Sequence, residues 1–313
     1  MRIAFLLVCA SAFVITLTCS LTWRMGWHDN DRWVAVLPMN QFGNQLWMFA
    51  STHGVAKRRK ARWCTLFQFH DTYTKHLTWT VQPEVCPILA WNMPVLNRVV
   101  GGEGFQIVGD IDGFARYTPA IEALPGPRIL SHGCMQSYKY FDQRVPVPFH
   151  LRATWPARIW VRTQNRTAAI HVRRGDKLID DGNVIPPPAY FELAINLLKS
   201  LWPGEEQRFV VVTDDPWWVR RQPVFDGMSV LSSEDIGFDM AVISQCRHKI
   251  LSVGTIGWWG AYLGDQGHNR TQTVIYPVPQ MEGRLAPGFS NEDYFPQHWL
   301  SLDYSARYSS ESA

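Results

Sequence analysis

Apolar and polar positions follow two different rhythms along this chain, and each change of rhythm marks an element. From Trp33 the run WVAVLP is continuously apolar and ends in the turn-forming MNQFG, which reads as a buried strand. In the following NQLWMFASTHGVAKRRK, Leu46, Phe49 and Ala50 recur at helical spacing and predict an amphipathic helix. Residues 80–130 are rich in Pro and Gly and poorly periodic, and prolines cluster again at 145–158, where the chain is expected to break into two halves. The second half is more regular. AAIHV, RFVVVT, MSVLS, KILSV and TVIYP read as strands, with TVIYP closing the series. Between them, PAYFELAINLLKSLW is an amphipathic helix with Pro near its start, and further helices are expected from about Phe238 to Cys246 and from Thr255. Strands alternating with helices predict an α/β chain with a parallel, doubly wound sheet.

That pattern locates the charged residues. Ligands of such sheets bind beyond the carboxyl ends of the strands. His171 to Asp176, Thr213 to Asp215 and Gly254 to Gly257 each follow a predicted strand, so three polar clusters converge on one sheet edge. Alternation along an extended strand points His171 and Arg173 one way and Arg174 the other. Arg173 then offers a bidentate fork to a phosphate, while Arg174 turns back to an internal carboxylate such as Asp176. Thr255 opens a helix, and its hydroxyl with the free N–H groups behind it makes a second anion site. Asp214 and Asp215 can accept hydrogen bonds from ribose hydroxyls or from the N–H edge of guanine. Together these residues describe a nucleoside diphosphate pocket that uses neither a lysine P-loop nor GxGxxG. The GGEGF stretch at Gly101 is not followed by a helical pattern.

The amino terminus changes the cellular picture. Residues 3–23 carry no charge, and 21 helical residues span roughly 30 Å, the thickness of a bilayer's hydrocarbon core. The run exceeds the roughly 7–15 apolar residues of a cleaved signal peptide, and Trp23 and Trp27 sit where an aromatic belt would. An uncleaved type II anchor is expected. The sequons at Asn165 and Asn269 agree with a secretory lumen. Of six cysteines, Cys9 and Cys19 fall in the span; Cys64, Cys86, Cys134 and Cys246 allow three pairings, with Cys246 in an apolar helix expected to be a buried thiol. KRRKAR, residues 57–62, reads as the basic end of a helix rather than a nuclear or nucleic-acid signal. With 313 residues, 46% hydrophobic, and a net charge of +3, the chain has room for two domains and does not demand a nucleic-acid partner. Its fifteen Trp are read mainly as core aromatics rather than sugar platforms.

IHVRRGD resembles the His-x-Arg-Arg-Gly-Asp signature of the α-1,2-fucosyltransferases and, more distantly, of α-1,6- and protein O-fucosyltransferases. QFGNQLWMFAS, GCMQSYKYFD and SQCRHKILSVGTIGWWGAYL resemble three further blocks of the α-1,2 group, in the same order, so the likeness runs from about Val34 to Trp299. The resemblance implies a GT-B-like fold of two Rossmann-like domains: 1–24 tail and signal-anchor, 25–32 stem, 33–150 acceptor-side domain, 151–300 donor domain and 301–313 tail. It implies inverting, metal-independent transfer of fucose from GDP-fucose to O-2 of a terminal β-galactose, in the Golgi lumen. Carried over residue by residue, Arg173 is the diphosphate ligand, with His171, Asp176, Asp214 and Thr255 near the donor and Asn44 at the cleft. The donor site is expected to comprise Arg173, Arg174, Asp214, Asp215, Gly254, Thr255, Gly257, Gly43 and Asn44; Arg173, His171 and Asp176 are the catalytic candidates. Gln41-Phe42 and Ile256 depart from the family pattern without removing a charged contact.

On that reading, negative charge builds on the β-phosphate as GDP leaves, and Arg173 stabilises that charge in place of a metal. The base is open among Asp176, Asp112 and His171, or a weak acceptor such as Asn44. Alternatives are a fucosyltransferase of another acceptor or linkage, a metal-dependent enzyme built on Asp110–Asp112, and an anchored sugar-binding protein that has lost catalysis. Adhesion through Arg174-Gly175-Asp176 fits poorly, because the tripeptide closes a buried strand.

Overall fold

The computed structural model describes residues 32–38, 40–65, 74–86, 105–110, 112–131, 133–141, 145–179, 182–265 and 272–305. The apolar segment 3–23, Trp27, Gly101 and the sequon at Asn269 lie outside them. No helix among the described residues is long and apolar enough to cross a membrane.

The first half builds a parallel sheet from β1 (Trp33–Val36), β2 (Arg62–Thr65), β4 (Glu84–Val85), β5 (Phe105–Val108) and β6 (Arg128–Ser131), in the order β4-β2-β1-β6-β5. β1 is central and buried at every position, as an unbroken apolar run requires. A separate ribbon pairs β3 (Leu77–Trp79) with β7 (Phe149–Leu151) antiparallel. Helix α1 (Phe42–Arg59) links β1 to β2 and ends in Lys57, Arg58 and Arg59, with Lys60 in the left-handed region at its cap. The Arg59 guanidinium donates to the carbonyls of Glu122, Leu124 and Gly126, so the basic run closes a helix against a neighbouring turn. A disulfide joins Cys64 to Cys86; Cys134 and Cys246 are free, and Cys246 is buried as expected.

The second half follows helix α2 (Thr154–Thr163). Its strands β8 (Ala168–Val172), β9 (Phe209–Thr213), β10 (Ser229–Leu231), β11 (His248–Ile250), β12 (Val274–Val278) and β13 (Leu300–Asp303) form a wholly parallel sheet ordered β10-β9-β8-β11-β12-β13. The chain winds outward from β8 to β10, returns to β11, and winds outward the other way. Its topological switch point therefore lies between β8 and β11, where the loops diverge and leave a crevice. Helices α3 (Pro188–Leu201), α4 (Pro216–Val219), α5 (Ile236–Gln245), α6 (Thr255–Gly264) and α7 (Asn291–Tyr294) complete the series. The sheet runs past TVIYP to Asp303, so a stretch of the expected tail is a strand. LSLD is a four-residue edge strand with little burial, and its alternation rests on only two apolar positions, Leu300 and Leu302, too short to stand out along the chain.

The halves meet through aromatics. Trp47 of α1 packs on Trp258 (ring centroids 4.0 Å) and Trp259 of α6, beside Phe141 and Tyr294. The Trp258 and Trp259 indoles donate to the carbonyls of Tyr294 and Gly43, at 2.9 Å each. These tryptophans are core, as read from the sequence. The chain after β12 then crosses back to the first half. Lys139 Nζ is 2.6 Å from Asp293 Oδ1, Ser137 donates to the Asp293 carbonyl at 2.7 Å, and the Tyr117 amide donates to Asp293 Oδ2 at 3.1 Å. The GCMQSYKYFD block thus contributes Ser137 and Lys139 to this seam.

Candidate active site

Arg173 leaves the end of β8 at the switch point. Its amide donates to Ser252 Oγ in the loop after β11 (2.8 Å), which fixes the two diverging loops to each other. The guanidinium is held from both sides, Nη2 on Asp176 Oδ1 at 2.8 Å and Nη1 on Asp214 Oδ2 at 3.0 Å. Asp214 also accepts from the Arg174 amide at 2.9 Å. Gly175 makes this wrap possible, since a Cβ there would lie 2.5 Å from Asp214 Oδ2. A long cationic side chain clamped by two carboxylates keeps one orientation, which is what a charge-stabilising group needs before its ligand arrives.

Arg174 points the other way, as the strand alternation requires, but its partner is not Asp176. It lies over the Trp218 ring (4.0 Å) with Nε 3.4 Å from Asp215 Oδ2. Asp215 in turn caps α4 by accepting from the Trp218 amide at 2.9 Å. Arg174 and Asp215 line neither cavity at this edge and serve the loop, because a helix starting directly after β9 takes up the second carboxylate. Two expected donor glycines are likewise spacers. A Cβ at Gly257 would stand 2.3 Å from His171 Nδ1, and one at Gly43 would stand 2.1 Å from Thr255 Oγ1. Gly254, at φ +97°, is the residue before α6 and lines the site.

Two cavities share His171, Arg173 and Ile256. The larger, about 660 Å³, lies between the halves and is lined by Asn40, Gln41, Asn44, Cys134, Gln136 and Tyr294 from one side and by Gly254, Thr255, Lys177 and Arg284 from another. The amino ends of α1 and α6 both open onto it, and neither first turn holds an acidic residue. Three basic side chains and two helix dipoles, with no Asp or Glu among the described residues of the lining, suit an anion. Asn44 Oδ1 accepts from Gln136 Nε2 at 3.1 Å, and Gln41 Nε2 reaches Asp176 Oδ2 across the halves at 3.5 Å. The smaller cavity, about 300 Å³, is lined by Thr213, Asp214, Ser232, Ser233 and Asp239.

Asp239 was missed by the sequence reading, though a lone carboxylate in the apolar GFDMAVIS was a usable signal. Burial pushes its carboxyl up to about 6, and Oδ1 has no hydrogen-bond partner while Oδ2 accepts from the Ser233 amide at 3.3 Å. An unpaired buried acceptor beside a cavity is incomplete without a ligand donor. His171 behaves in the opposite way. It is fully buried beside Arg173, and desolvation pushes its imidazole down to about 3, so it is neutral and a poor proton acceptor. Ser252 Oγ lies 3.3 Å from its Nδ1. Asp110 and Asp112 line neither cavity; Asp110 accepts from the Cys134 and Met135 amides, and Asp112 from Thr118 Oγ1. No cluster of three or more metal-ligating side chains occurs among the described residues.

Residues 158–303, the sheet that carries this site, match the family model of glycosyl transferase family 11. The chain is 23% identical over 290 residues to galactoside alpha-(1,2)-fucosyltransferase 2 of Oryctolagus cuniculus, covering 84% of this chain and 75% of the relative. It is 30% identical over 105 residues to the O-antigen biosynthesis glycosyltransferase WbnK of Escherichia coli, covering 31% and 34%. Among solved structures, fucosyltransferase NodZ from Bradyrhizobium is 13% identical at a TM-score of 0.48, with 74% of this chain and 93% of that one covered.

Proposed function

We propose that this glycosyltransferase moves L-fucose from GDP-fucose to O-2 of a terminal β-galactose, inverting the fucose C1 without a metal. The observation that carries the reading is Arg173, clamped at 2.8 and 3.0 Å between Asp176 and Asp214 at the switch point and facing a cavity with no carboxylate among the described residues of its lining. A nucleoside diphosphate laid across the two cavities sets guanine against Asp239, whose unpaired oxygen accepts from the base's N–H edge, and the diphosphate at Arg173, Thr255 and the start of α6. As the C1–O bond breaks, the electron pair leaves with the β-phosphate. A guanidinium already aimed there stabilises the transition state more than the ground state. The acceptor oxygen approaches from the amide-lined side formed by Asn44, Gln41 and Gln136 and bonds to C1 on the face opposite GDP as the C1–O bond to the β-phosphate breaks, its proton passing to solvent water. Relatives named galactoside α-(1,2)-fucosyltransferases, aligned over 84–85% of this chain, support this choice of acceptor and linkage. The uncharged segment 3–23 supports a type II Golgi protein with this site in the lumen.

Incubation with GDP-fucose and a β-galactoside, followed by linkage mapping, tests the reading. An α-1,2 product is expected at undiminished rate in EDTA, and a rate that returns only with added divalent metal sinks the metal-free mechanism. Arg173→Ala is expected to lower turnover by about 10²–10³-fold or more while the protein stays folded. GDP binding without transfer by the unaltered protein points instead to a sugar-binding role.

A further inference from the structure

A third cavity, about 550 Å³, adjoins the large one and shares Lys177 and Asn183 with it. It has no place in donor binding, since Arg173, Thr255 and Asp239 are absent from its lining. Two loops make the wall between the cavities. Asn183 and Met281 form an antiparallel bridge, the Glu282 amide donates to the Gly182 carbonyl and the Val184 amide to the Gln280 carbonyl, each at 3.0 Å. Gly182, at φ +103°, packs so closely on Leu285 and Glu282 that a side chain would collide, at 2.8 Å from Leu285 Cγ. The wall is therefore built rather than incidental. Beyond it, Leu178 and Ile179 stand 56% and 87% exposed at the rim of a cavity that also presents an ammonium, an amide and a carboxylate.

Apolar side chains beside a few convergent polar groups are what a sugar ring meets in a binding site, its C–H face on the aliphatic surface and its hydroxyls on the polar atoms. The volume lies within the range of small-molecule sites, roughly 300–1,000 Å³. We propose that the cavity lined by Lys177, Leu178, Ile179, Asn183, Glu282 and Tyr304 receives the sub-terminal sugars of the acceptor glycan, the chain passing over the shared Lys177 and Asn183 from the cleft that holds its terminal residue. The inference rests on the reading of the cleft as a fucosyl transfer site. Ile179 and Glu282 then set the preference for acceptor length. Binding energy from these remote sugars then supports transfer at the terminal one.

The test uses the full-length protein with GDP-fucose, methyl β-galactoside and β-galactosyl di-, tri- and tetrasaccharides. The kcat/KM is expected to rise about tenfold from the methyl glycoside to the trisaccharide, equivalent to about 1.4 kcal/mol. The Ile179→Ser, Glu282→Ala double variant is expected to lose that rise while methyl β-galactoside turnover, GDP affinity and Tm stay as they were. A rise that persists in the variant, or equal kcat/KM for every length, overturns the subsite. A length dependence seen only on chains with another terminal sugar keeps the subsite and overturns galactose as acceptor. Failure to modify any glycan overturns both.

Discussion

Asp239 and His171 lie on the same sheet edge and are pushed in opposite directions by the same cause. Burial disfavours the charged form of each, raising the acid to about 6 and lowering the imidazole to about 3. For Asp239 the folded pKa exceeds the ordinary 3.8, so its contribution to stability is full below that value and is lost as pH rises through about 6. A ligand that donates to the ionised carboxylate reverses the preference. GDP affinity measured by calorimetry is expected to be about tenfold weaker at pH 5 than at pH 7.5, and Asp239→Asn should remove that component of the dependence. An unchanged slope in the variant would take Asp239 out of nucleotide binding. His171, neutral across the working range, is expected to leave no limb near pH 6 in the kcat profile. Asp176 is engaged by Arg173 and approached by Gln41, so its first task is to aim the guanidinium.

At the level of elements, the site depends on how closely α1 and α6 approach. Gly43 lies where any Cβ would run into Thr255, and its carbonyl accepts from Trp259. Gly43→Ala must therefore push apart the two helix ends that open on the large cavity. A loss of about 1–3 kcal/mol in denaturant unfolding is expected, with GDP binding weakened as well. Wild-type stability in that variant would mean the helices tolerate separation. Gly257, within the first turn of α6, has the same function and gives room for the His171 ring. Neither glycine needs a left-handed backbone; each is required for space. Gly254 alone of these combines a positive φ with a place in the lining.

Across the whole molecule, the two sheets are joined by an aromatic cluster and a returning strap, so cleft geometry and stability are coupled. Trp258 touches Trp47, Trp259, Tyr262, Tyr294 and Trp299, and Trp258→Ala is expected to cost about 3–5 kcal/mol. Because that loss falls on the contact between halves, unfolding followed by tryptophan fluorescence and by circular dichroism should separate into two transitions. A single coincident transition would show that other contacts suffice to hold the halves together. Asp293, bound by Lys139 and the Tyr117 amide, anchors the strap next to Tyr294 of that cluster.

Strands, helices and the edge on which Arg173 sits were legible along the chain, because continuous apolar runs, amphipathic spacing and turn residues are local signals. The alternation of β8 even placed Arg173 and Arg174 on opposite faces. Partner choice was not local. Whether Asp176 or Asp215 receives Arg174 depends on α4 starting beside it, and whether a glycine is a ligand or a spacer depends on a helix from the other half. Asp239 stood out along the chain only as a lone carboxylate in an apolar helix; that it faces the crevice was decided by how α5 packs. The order of apolar and polar residues determined which segments form the sheet and what chemistry stands at its edge. Packing in three dimensions decided which of those charges meet each other and which face the cavity, since burial and proximity of distant segments have no period in the sequence.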